Sequence, residues 1–198
     1  MELRDKNGLT EKEFLAAYRP GDFPRPSVTA DNLIFAKDGD CYRLLMIKRG
    51  GHPCLGMWAL PGGFSNPDET VDSAAARELE EETGITGLQL EQLGLFSTPN
   101  RDPRTWVMTC AFVSVTEMSD VKAGDDADDA RWFKVSLCDG VLTLDGGDVV
   151  LSAKADISGG TALLSEKVTI LENNGFAFDH AEIITKGILK LRRCGVNI

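Results

Sequence analysis

The sequence predicts an α/β or α+β sandwich built around one mixed sheet. Apolar stretches of strand length are interspersed with stretches of helical spacing, and turns rich in Gly, Pro and Asp separate them. Between them, residues 63–85 join a glycine-bearing loop to a short helix crowded with acids. At 198 residues the chain can bury a sizeable core as one domain, taken as 27–198, behind an N-terminal helix and extended arm at 1–26. Hydrophobic residues at 42% and charged ones at 26% give the balance of a soluble globular chain.

The elements follow in order. Thr10 and Glu13 form a capping box that predicts a helix over 11–18, whose apolar side (Phe14, Leu15, Tyr18) is expected to pack on the domain or on a partner subunit. Pro20, Pro24 and Pro26 keep the next segment extended. Residues 27–36 and 42–48 read as strands joined by the turn Lys37-Asp38-Gly39-Asp40, hence a hairpin. The glycine-rich loop 49–56 lacks a P-loop Lys-Ser pattern and reads as a connection near a substrate entrance. A short strand at 57–60 delivers Pro61-Gly62-Gly63. After the acidic helix, capped by Asp68 or Thr70 and ended by Gly84, strands are expected within 88–96 and 106–115 and around Arg131–Val135. Residues 138–175 read as a β-rich insertion serving as cover or dimer contact, and 176–193 as the closing helix.

Charge and cysteine usage exclude several functions. A net charge of −10 opposes binding to nucleic acid or an anionic membrane. It also repels phosphate substrates, so such a substrate would need a metal bridge and local arginines. The first residues are charged where a signal peptide would be apolar, and no apolar run reaches membrane-spanning length, so a cytoplasmic protein is expected. Cys41, Cys54, Cys110, Cys138 and Cys194 are scattered without a CxxC pair and read as reduced thiols. His52 and His180 lack the neighbours of a triad or zinc site and are given structural or substrate-edge positions.

The acids carry the chemistry. On a helix turning about 100° per residue, Glu78 and Glu82 fall about 20° to either side of Val71, on the face of Ala74, Ala75 and Leu79. Glu81 lies at the edge of that face and Glu80 opposite it. A merely solvated acidic run has no reason to share an apolar face. Inward carboxylates repel one another and lose hydration, a cost that a hard divalent cation would offset. Oxygen donors suit Mg²⁺, with Mn²⁺ as the alternative.

Gly63, five residues, Glu69, seven residues, then Arg77-Glu78-Leu79-Glu80-Glu81-Glu82-Thr83-Gly84-Ile85 resembles the Nudix box at every defined position. The resemblance covers roughly 27–135 and resumes near the C-terminus. It implies an α/β/α sandwich and hydrolysis of a nucleoside diphosphate linked to another moiety. It implies metal ligation by the Gly63 carbonyl, Glu78, Glu81 and Glu82, with Glu69 and Arg77 as supports and Glu78 also a candidate base. A further acid after the box is placed at Asp126. Pro99, 14 residues beyond Ile85, and Arg101-Asp102-Pro103-Arg104 resemble the ADP-ribose pyrophosphatase branch and Nudix-related regulators of NAD metabolism. Pro99, Arg101 and Arg104 are therefore the expected substrate contacts, the arginines as fixed cations for a diphosphate or ribose phosphate. Thr105-Trp106 departs from those relatives, and Trp106 can either stack on a base or pack in the sheet.

The expected reaction is ADP-ribose plus water to AMP plus ribose 5-phosphate. Hydrolysis of nucleotide sugars or other dinucleoside diphosphates is one alternative, and a ligand-sensing regulator is the other. Such regulators append a winged helix-turn-helix, for which little chain follows the closing helix and no basic recognition helix is evident. A homodimer through the N-terminal helix or the inserted arm is the expected assembly.

Overall fold

The computed structural model describes residues 2–118, 120, 127–161 and 164–198, with the side chains of Ala127 and Asp128 left aside. Asp126, the acid expected after the box, lies outside the described residues.

Ten strands make one mixed sheet. In chain order they are β1 (Ser27–Asp38), β2 (Cys41–Arg49), β3 (Trp58–Ala59), β4 (Gly62–Phe64), β5 (Glu91–Phe96), β6 (Val107–Glu117), β7 (Ala127–Cys138), β8 (Val141–Asp145), β9 (Val150–Gly159) and β10 (Glu166–Asn174). The helices are α1 (Glu11–Ala17), α2 (Val71–Thr83) and α3 (His180–Arg193). The sheet runs β10-β9-β8-β7-β2-β1-β6-β5, with β3 on β2 and β4 on β1. β1 and β6 are parallel along their length, while the other pairings are antiparallel.

Alternation along β1 divides the core into two layers. Leu33 and Phe35 join Ile183, Ile184 and Ile188 of α3 on one face. Ala30 meets Ala74 and Ala75 of α2 on the other face, where Ile34 meets Leu79. Asn32 sits among these apolar residues because its side-chain amide donates to the Ala75 carbonyl at 2.9 Å. The helices thus cover opposite faces, giving an α/β/α sandwich.

The strands after Cys138 continue the sheet beyond β7 as a meander. Leu142, Leu144, Leu151 and Ala153 from them enter the same core layer as α3.

The capping box of α1 is present, with Thr10 accepting from the Glu13 amide and Glu13 accepting from the Thr10 amide. Of the two expected packings of α1, that on the domain is not seen. None of its residues is buried, and Phe14, Tyr18 and Phe23 form a row of rings. A seven-residue helix with an apolar side this narrow has little area with which to hold itself to the sheet.

Candidate active site

The two central strands part where the cleft opens. β1 pairs with β2 only from Phe35 to Asp38, whereas Thr29, Ala30 and Asp31 pair instead with Phe64, Gly63 and Gly62 of β4. The cleft between them has a volume of about 550 Å³. Gly62, Gly63, Glu78 and Glu82 form the acidic wall of its lining, Arg49, Arg101, Arg104, Phe178 and His180 the basic wall, and Asp31 stands beside Arg101 and His180.

On the acidic wall, Thr70 caps α2 by accepting from the Ser73 amide, and Gly84 ends it in the left-handed region at φ 75°. This sets the helix over β4. Glu82 accepts from the Gly62 amide at 2.7 Å. Burial pushes the pKa of Glu82 up to about 8, opposed by that amide and reinforced by the nearby Glu78 and Asp31. Glu78 is also raised by burial, against the pull of Arg77. Its carboxylate lies directly on Gly63, where a Cβ would come about 2.5 Å from it, so any side chain there would push the Glu78 carboxylate aside.

Arg77 clasps this wall together. Its Nη1 donates to Glu78 Oε1 at 2.8 Å and to Glu81 Oε2 at 3.0 Å, while Nη2 donates to Glu69 at 2.7 Å and to the Phe64 carbonyl at 3.0 Å. Bonding to Arg77, then to the Asn66 amide, lowers the Glu69 pKa to about 2. Glu81 stands at the edge of the inner face, as its helical angle gives. Its side chain is 56% exposed and lies along the surface toward Arg77, four residues earlier, outside the cleft lining. Glu80 is exposed, as its helical angle requires.

On the basic wall the two arginines behave differently. Arg101 is 4% exposed and forks onto Asp179, with Nε and Nη2 donating at 2.8 and 2.6 Å. Burial disfavours its charge, but Asp179, Asp31 and Asp102 outweigh that and raise its pKa. Asp179 stands at the N-cap position of α3 without capping it, since its carboxylate is taken by Arg101. Arg104 is 41% exposed, forks onto Asp102 and lies 5.0 Å over the Phe64 ring and 5.9 Å over that of Phe178. Pro99 does not reach the cleft. It lines a separate hollow with Trp106, which is about half exposed rather than packed in the sheet.

Asp31, Phe64 and Phe178 escaped the sequence reading as cleft-lining residues, while His180, expected at a structural or substrate-edge position, lines the cleft. An Asp-Asn pair inside the apolar run of β1 was the available signal for Asp31. His180 is buried, and its Nδ1 accepts from the Leu60 amide at 2.9 Å. The glycine-rich loop does reach the cleft, through Arg49, Gly50 and Gly51.

The wall of Glu78 and Glu82 fits a hard divalent cation by two observations. The donors are oxygens only, and the glycine cradle lets a carboxylate and backbone carbonyls face the same space. Among the described residues, no three Asp, Glu, His or Cys side chains converge closely enough to enclose an ion by themselves. Such a cation would therefore share its shell with backbone, water or substrate oxygens.

Carboxylates at one wall and guanidinium groups at the other define a class of site suited to an anionic ligand held beside a cation. The chain belongs to the NUDIX domain family, whose model matches residues 25–146. It is 39% identical over 128 residues to the ADP-ribose pyrophosphatase of Methanocaldococcus jannaschii, covering 65% of this chain and 72% of that protein. The crystal structure of a MutT/nudix family protein from Enterococcus faecalis superposes with a TM-score of 0.78 at 34% identity, covering 93% of this chain and 70% of that one. The NUDIX domain of Shewanella oneidensis NrtR, solved with ADP ribose, gives a TM-score of 0.69 at 26% identity, covering 92% and 99% respectively. No helix among the described residues is long and apolar enough to cross a membrane.

Proposed function

We propose that the protein hydrolyses ADP-ribose to AMP and ribose 5-phosphate with Mg²⁺, or Mn²⁺ in its place, in the cytoplasm. The observation that carries this reading is the facing of Glu78 and Glu82 against Arg104 across a single cleft, in a chain 39% identical to an ADP-ribose pyrophosphatase. Nudix hydrolases generally use divalent metal ions. Glu78, Glu82 and the Gly63 carbonyl would hold the ion, with Glu81 at its margin, and it would neutralise charge on the diphosphate and acidify water.

The chain's own residues supply the rest. Arg77 fixes Glu78 through Oε1, leaving Oε2 to accept a proton from water as its oxygen attacks phosphorus. The anhydride P–O bond breaks and the leaving phosphate departs with the bonding electrons. The Gly62 amide fixes Glu82. Arg104, the more exposed arginine, turns from Asp102 toward the diphosphate, guided by the rings of Phe64 and Phe178. Arg101, locked to Asp179, holds the loop rather than meeting the phosphates. The exposed apolar side chains of α1 support a homodimer, and the acidic net charge supports a small-molecule rather than a nucleic-acid partner.

A panel of ADP-ribose, NADH, nucleotide sugars and nucleoside triphosphates with Mg²⁺ tests this. ADP-ribose is expected to give AMP and ribose 5-phosphate with at least about tenfold higher kcat/KM than the others, a margin of about 1.4 kcal/mol. A nucleotide sugar turned over faster removes the substrate assignment. The likeness to the ADP-ribose-bound NrtR domain favours ligand sensing as the second reading. Tight ADP-ribose binding without turnover of any substrate would support it.

A further inference from the structure

Where the acidic and basic parts of the cleft lining meet, Asp31 holds a polar atom with no partner. Asp31 is 6% exposed, and its Oδ2 is buried without a hydrogen bond. Leaving such an acceptor unsatisfied costs about 1–3 kcal/mol. Two donors stop short of it. Arg101 Nη2 lies at 3.7 Å and His180 Nε2 at 3.8 Å, both beyond hydrogen-bond length.

Neither donor is free to close the gap. Arg101 is forked onto Asp179, and the Leu60 amide donates to His180 Nδ1, which leaves the ring proton on Nε2, facing Asp31. An acceptor and a donor therefore stand side by side at the cleft lining, held from behind by strand and helix.

Resting on the hydrolase reading above, we propose that Asp31 and His180, backed by Arg101, form a subsite that binds a sugar hydroxyl of the substrate. A hydroxyl donates to a carboxyl oxygen and accepts from Nε2–H at once, which neither a phosphate oxygen nor a cation can do. A phosphate would meet the acid of Asp31. A cation would meet the guanidinium of Arg101 and the proton of His180. The terminal torsion of an aspartate is soft, so a small rotation presents the unpartnered oxygen to the cleft. Asp31 pairs with Gly62 in the ladder, and Gly62 donates to Glu82. The hydroxyl is thereby held at a fixed offset from the carboxylates that would face the diphosphate.

The test uses ADP-ribose and its single-deoxy analogues, one for each sugar hydroxyl. Kd is measured calorimetrically in EDTA, and kcat and KM are measured in Mg²⁺. Wild type is expected to bind one analogue about tenfold more weakly than ADP-ribose, and Asp31→Asn to bind that analogue and ADP-ribose alike. His180→Asn keeps an acceptor for the Leu60 amide but loses the Nε2 donor, and should lose the same discrimination even if the Asp31 variant folds poorly. An equal loss by Asp31→Asn on every analogue overturns the subsite while leaving the reaction standing. A raised Mg²⁺ requirement with discrimination intact likewise overturns it. Discrimination by wild type without hydrolysis overturns the reaction and keeps the subsite. Absence of both binding and hydrolysis overturns both.

Discussion

The two walls of the cleft handle charge in opposite ways. On the basic wall two of the three arginines have their own carboxylate, Arg101 closed onto Asp179 and Arg104 onto Asp102, while Arg49 donates to the Pro53 carbonyl. On the acidic wall several carboxylates share a single cation, and Glu82, the most deeply set of the box acids, has only the Gly62 amide. One wall is largely paired within itself, while the other is left with negative charge to be answered from outside. A site for a metal-bridged anion needs this asymmetry. A fully paired acidic wall would not attract a cation, and arginines left unpaired beside it would repel one.

The largest effect is expected from removing the unanswered charge. Glu82→Gln should lower Mg²⁺-dependent kcat by about 10²-fold or more, comparable to removing a directly stabilising group. Its melting temperature should not fall, because a buried acid raised by desolvation becomes a neutral amide. If Glu82→Gln retains more than half of wild-type turnover, the acidic wall does not work as described.

Splitting the two arginines gives the second test. Arg101→Ala leaves Asp179 without its partner in the interior and should destabilise the fold by about 3–5 kcal/mol, read by urea unfolding. Arg104→Lys should keep the fold and raise KM for ADP-ribose about tenfold, since a lysine cannot reproduce the fork or stack on Phe64. Equal behaviour of the two variants would erase the distinction between a locked and a mobile arginine.

The smallest effect concerns Glu69. Its pKa is depressed from 4.5 to about 2 in the folded chain, so it contributes stability that is fully present above about pH 4.5 and lost as pH falls toward 2. Wild type should therefore melt above Glu69→Gln at pH 7, and the two should converge as pH falls through that window. A gap that does not change with pH would mean that Arg77 does not depend on the charge of Glu69.

Helical angle alone located Glu78 and Glu82 on the inner face and Glu80 outside, because α2 is regular and its apolar neighbours are local. It set Glu81 at the edge of that face, where the side chain lies, but could not show that Arg77 draws it along the surface outside the cleft lining. The arginine loop was found, but not its partners, since Asp179 lies 78 residues beyond Arg101 and only tertiary folding joins them. Pro99 lay near the right residues in sequence and outside the cleft in space. The strands were legible from their apolar runs. The partial separation of β1 and β2 that opens the cleft was not, because it depends on β4, a three-residue strand too short to carry a pattern.

That three-residue strand also decides where the chain can change length. Gly62 and Gly63 each face a fixed residue of β1 and each abut one of the box acids. Adding or deleting one residue between Leu60 and Phe64 would turn every side chain of the strand to the other face and carry the glycine cradle off its acids. The turn at Gly39-Asp40, where nothing packs against the glycine, can absorb the same change. Length variation among descendants of this sequence should therefore gather at hairpin tips, with the stretch from Leu60 to Phe64 kept at constant length.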